Sequence, residues 1–65
     1  MLSLPSRWVY VWYEDGKREN VANTDTLSAE EAQEFKEEWE KARGKKVVAV
    51  DLTTSEGRLV KTFTF

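Results

Sequence analysis

The chain has 65 residues, 40% of them hydrophobic and 34% charged, with a net charge of −2. A single domain of this size buries only about 60% of its unfolded surface, and with no Cys and no His neither disulfides nor the common zinc sites can reinforce it. The acidic balance disfavours a general nucleic-acid binder, and no apolar run approaches the roughly 20 residues of a membrane-spanning helix.

Residues 1–6 read as a lead-in, with Pro5 unable to donate to a strand ladder. The segment before Arg7 is too short for a signal peptide and lacks a basic start. The chain is therefore expected to be cytoplasmic, or a recombinant product. A first hairpin is expected over 7–22. Trp8-Val9-Tyr10-Val11-Trp12-Tyr13 is β-favouring and apolar on both faces, whereas a half-buried strand alternates apolar with polar. Asp15-Gly16 is a two-residue hairpin signal. It pairs Tyr10 with Val21 and Val9 with Ala22. The second strand, with Lys17, Arg18, Glu19 and Asn20, has the charge of an edge.

A helix is predicted over 28–43. Ser28 and Glu31 have the spacing of a capping box, and Leu27 and Ala32 that of a hydrophobic staple. Ala32, Phe35, Trp39 and Ala42 form one apolar stripe, and Gly44 is a natural stop. Residues 28–43 carry six acids and three bases; this Glu-rich side reads as a solvated face.

The second hairpin is expected over 46–65. A turn centred on Glu56-Gly57 pairs Thr54 with Leu59, Leu52 with Lys61, Val50 with Phe63 and Val48 with Phe65. Val48, Val50, Leu52, Leu59, Phe63 and Phe65 then share a face; a slip of one residue would separate them. The fold class is α+β. Its order is ββαββ: a four-stranded mixed sheet in the order 2-1-4-3 with one helix packed on one face. The two most apolar strands, the first and the fourth, are expected to pair parallel at the centre.

This arrangement resembles the immunoglobulin-binding domains of protein G. Lys61-Thr62-Phe63-Thr64-Phe65 looks like that family's last strand, and Phe35-Lys36 and Gly44 fall near comparable helix positions. The resemblance implies a helix and a following edge strand that grip antibody Fc, through a Lys on the helix and a Trp on the third strand. Lys36 falls on the matching helix position. The third strand offers Val47 and Ala49 and no Trp.

Nothing in the sequence points to catalysis. The commonest general base and the thiol nucleophile are absent. Glu14 and Asp15 belong to a turn, Asp51 reads as an outward strand residue, and Asn23-Thr24-Asp25 lacks the spacing of a calcium loop. The expectation is no catalytic residue, cofactor or metal site, and no enzyme activity. One face of the first strand has no helix over it. If Trp8, Tyr10 and Trp12 are outward, they form a partner surface with Val21. If they are core, the outer face is Val9, Val11, Tyr13, Val60, Thr62 and Thr64. The small domain's need for volume favours the Trp set inward, against Phe35, Trp39, Phe63 and Phe65.

The function expected is that of a non-enzymatic stand-alone scaffold or protein-interaction module. Local signals that agree this well also suit a designed or engineered chain. The alternatives are a bacterial or phage accessory protein that binds and inhibits a host protein, and single-stranded nucleic-acid binding on the aromatic face. No partner is required by the sequence. An unidentified protein, or a second copy docked on the open sheet face, would fit; a membrane would not.

Overall fold

Five elements follow in chain order: β1 (Arg7–Tyr13), β2 (Arg18–Asn23), α1 (Ala29–Arg43), β3 (Val47–Thr54) and β4 (Leu59–Thr64). The computed structural model describes residues 7–65, so the 1–6 lead-in lies outside the described residues. The fold is α+β in the order ββαββ, with α1 packed on β1 and β3. The four strands form one sheet, antiparallel throughout, in the order β2-β1-β3-β4.

That order corrects the mixed 2-1-4-3 sheet expected from the sequence. β1 pairs antiparallel with β3 along its whole length, from Arg7 opposite Thr54 to Tyr13 opposite Val47. β4 lies at an edge instead of the centre. The composition of the two strands explains the exchange. A central strand is enclosed on both sides, and β3 offers Val47, Val48, Ala49, Val50 and Leu52. β4 carries Lys61, Thr62 and Thr64, residues that tolerate an edge. β2 and β3 run parallel with β1 between them, a split β-α-β unit. In this order the connection through α1 passes only one strand.

The resemblance to protein G falls with that order. Its parallel pairing of first and last strands is absent. β3, which would be the gripping edge strand, is enclosed between β1 and β4. Lys36 is committed within the chain, bonded to Glu40 at 3.1 Å.

The helix forms as its sequence predicts. Ser28 Oγ accepts from the Glu31 amide at 3.1 Å, and the Glu31 carboxylate accepts from the Ser28 amide at 2.9 Å. Leu27 and Ala32 are both buried in the core. The chain leaves through left-handed Gly44. The apolar stripe is shorter than expected, because Ala42 is exposed.

Both hairpins close with three-residue loops rather than two. Tyr13 C=O accepts from the Gly16 amide, and Tyr13 N–H donates to Lys17 C=O. Thr54 makes the same pair of bonds with Gly57 and Arg58. Gly16 and Gly57 sit at φ 86° and 88°, where a Cβ would be strained. The extra loop residue shifts each register by one, and a β-bulge further along restores it. Val9 therefore meets Ala22 as predicted, while Tyr10 meets Asn20 and not Val21. Likewise Val50 meets Phe63 and Leu52 meets Lys61 as predicted, while Leu59 meets Thr53 and not Thr54. A third bulge, between β1 and β3 at Val48, brings Val47 opposite Tyr13.

Each bulge moves the side chains beyond it to the other face. Val47 is buried and Val48 is only half-buried, the reverse of expectation. Val21 turns to the core side. Leu59 leaves the core face and is 54% exposed. The backbone carbonyl of Val9, beside the bulge in β2, accepts from the Asn20 carboxamide at 2.9 Å.

The core is Val9, Val11, Tyr13, Leu27, Ala32, Val47, Val50 and Leu52, flanked by Val21, Ala22, Phe35, Trp39 and Phe63. Trp8, Tyr10 and Trp12 are not in it, which overturns the inward Trp reading. Phe35 and Trp39 already supply large rings beneath the helix, so the facing strand positions take Val. Replacing fully buried Val11 by Ala removes two methyl groups and leaves a cavity. The expected cost is about 2–3 kcal/mol, read as a lower urea midpoint with an unchanged slope.

Candidate functional site

The sheet face away from the helix is built in three rows. Arg18, Trp12, Ala49 and Thr64 form one; Asn20, Tyr10, Asp51 and Thr62 the next; Asn23, Trp8, Thr53 and Leu59 the third. Trp8, Tyr10 and Trp12 stand here because strand alternation assigns Val9, Val11 and Tyr13 to the core. Thr62 and Thr64 share this face with the Trp set, rather than with the Val9 set. Val60, displaced by its bulge, is 41% exposed. Val21 is withdrawn to the core side.

The aromatic rings are held in place. Trp8 and Tyr10 lie 6.2 Å apart, tilted by 32°. The Arg18 guanidinium sits 4.2 Å from the Tyr10 ring centre and 5.6 Å from that of Trp12, within cation–π range. Trp12 Nε1 donates to the Asp51 carboxylate at 2.7 Å, and the Thr62 hydroxyl donates to its other oxygen. Asp51 therefore fixes one ring and ties β1 to β4 through β3. Trp8 is the freest of the three, at 37% exposure.

Sequence reasoning named the aromatic trio but not the partners that order it. Asn20 reads only as edge polarity, and Arg18 as edge charge and as one of several bases near the aromatic face. Asp51 carried a usable signal, since its position between Val50 and Leu52 already placed it opposite the core. The buried Thr53 hydroxyl has no hydrogen-bond partner. Exchanging it for a methyl group keeps the β-branched shape and removes an unpaired polar atom. Thr53→Val is expected to stabilise the fold by about 1 kcal/mol, seen as a raised urea midpoint.

A second polar cluster closes the other face near the helix C-terminus. Glu19 accepts from the Tyr13 hydroxyl at 2.7 Å, and its two carboxylate oxygens accept side-on from Nε and Nη2 of Arg43. Arg43 holds the Glu19 carboxyl below the usual carboxylate range, with help from Tyr13. Burial, then Glu19, raises the Tyr13 hydroxyl. Glu40 is lowered by the Val47 amide that it accepts from, and next by Lys36. Asp15 is lowered by the Lys17 amide and next by Lys45. These groups join secondary structures, as caps and clasps. A shallow groove of about 140 Å³ lies on the helix, lined by Glu31, Glu34, Phe35 and Glu38. Among the described residues no group of three or more His, Cys, Asp or Glu could hold a metal ion. No helix there is long and apolar enough to cross a membrane.

Comparison with known protein families, with curated proteins and with solved structures found no match.

The three depressed carboxyls set a pH dependence. Between their folded and unfolded pKa values the unfolded chain binds more protons, so stability rises with pH. The contribution is present above the ordinary carboxylate range and lost as pH falls through the lowered values. The thermal midpoint is expected to drop on acidification from about pH 5 to about pH 2. A Glu19→Gln/Glu40→Gln variant should show a shallower drop; an equal one would mean these contacts contribute nothing.

Proposed function

We propose that the chain is a non-enzymatic protein-interaction module that docks a protein partner on its open sheet face through Trp8, Tyr10 and Trp12. One observation carries this reading: three large aromatic side chains stand side by side on the face that α1 leaves uncovered. Trp, Tyr and Arg are the residue types that dominate binding energy at protein interfaces, and Arg18 lies directly over two of the rings. Asp51 holds Trp12 in place before any partner arrives, which lowers the entropy lost on binding. A protein suits the face better than a nucleic acid does. Arg18 is balanced by Asp51, so the face lacks the basic excess that releases counterions.

The test is a Trp8→Ala/Tyr10→Ala variant compared with the wild-type chain. Its circular dichroism spectrum is expected to match wild type, because neither side chain belongs to the core. Immobilised in parallel, wild type should retain a protein from a cell extract that the variant loses by tenfold or more. Equal retention by both would remove the face from the binding function. Wild-type binding to a single-stranded oligonucleotide, falling steeply with salt, would replace the protein partner with a nucleic acid.

A further inference from the structure

The two edges of the sheet are finished differently. β2 carries Arg18, Glu19 and Asn20 and is bulged at Val21. The Asn20 carboxamide folds back on the carbonyls of Val9 and Ala22. Charge and a bulge discourage a foreign strand. β4, at the opposite edge, reads Leu-Val-Lys-Thr-Phe-Thr, with one charge. Leu59, Val60 and Phe65, on β4 or just after it, are 54%, 41% and 43% exposed. Phe63 is only partly buried.

The backbone of β4 has a defined free side. The Phe65 amide donates inward to Val48 C=O at 2.9 Å. Antiparallel strands alternate the direction of their peptide groups, so Thr64 and Thr62 direct theirs outward, away from β3. What fits such an edge is another extended strand.

We infer that β4 is a homodimerisation edge: a second copy of the chain pairs with it antiparallel about a two-fold axis at Thr62. The sequence is self-complementary in this register. Thr62 faces Thr62 of the second copy, and the pair exchanges two hydrogen bonds. Thr64 faces Val60. Lys61, the only charge on the strand, faces Phe63, so no like charges stand directly opposite. That contact repeats one already made within the chain, where Lys61 Nζ lies 5.3 Å from the Phe63 ring. The two sheets become one of eight strands with both helices on the same face. Phe63 and Phe65 then line the trough between the helices. The patch is the same on both copies, as a two-fold interface requires.

Sedimentation equilibrium of the full chain, over a concentration series into the high-micromolar range, tests this. The mass is expected to rise from 7.6 kDa toward twice that value. Thr64→Pro removes an outward N–H that the fold does not use, and should hold the chain at the monomer mass with an unchanged circular dichroism spectrum. Thr62→Lys sets two like charges face to face on the axis. It should also give a monomer, and it decides the matter if the proline variant fails to fold. A wild-type chain still monomeric at the highest concentration overturns the inference. So does a dimer that persists in a folded variant of either kind, or one abolished by Tyr10→Lys, which would put the contact on the open face.

Discussion

One helix has to cover a four-stranded sheet, and it reaches only one face. Everything else in this small fold follows from that shortage. α1 lies over β1 and β3, so those two strands hold the core and become the centre of the sheet. Val9, Val11 and Tyr13 are buried from one side while Trp8, Tyr10 and Trp12 remain on the other. The uncovered rings are not left loose. Arg18 stacks on two of them, and Asp51 accepts a hydrogen bond from the Trp12 indole N–H.

The bulges reconcile this packing with the turn chemistry. Three-residue loops ending in Gly16 and Gly57 displace each hairpin register by one residue. Bulges at Val21 and Val60 then restore the alternation that the buried Val and Leu side chains require. The bulge at Val48 does the same between β1 and β3, and it puts Val47 beneath the end of the helix. There its amide reaches the Glu40 carboxylate at 2.9 Å. Local misfit is thus absorbed at valine positions, whose side chains pack acceptably on either face. The fixed points of the core, Val9 with Leu52 and Val11 with Val50, stay in register.

Much of the fold was legible from local signals. The helix boundaries followed from Ser28, Glu31 and Gly44, because capping is a contest settled within four residues. The pairs Val50–Phe63 and Leu52–Lys61 followed from apolar alternation near a Gly turn. The strand order was not legible in the same way. The first and fourth strands looked central as the most apolar pair, but the third has a longer continuous apolar run than the fourth, and enclosure on both sides rewards that. The orientation of the aromatic trio was also hidden. β1 is apolar on both faces, so its own pattern cannot say which side meets a helix lying far along the chain.

The sequence by itself determined the elements, the caps, the glycine turns and the existence of an apolar strand too rich for one face. These depend on neighbours a few residues apart. Only the tertiary structure decided that β3 and not β4 lies beside β1, and that the Trp set faces away from α1. It also decided that Arg18, Asp51 and Thr62 meet around those rings. Those outcomes depend on which distant surfaces compete for the single helix, and no local pattern encodes that competition.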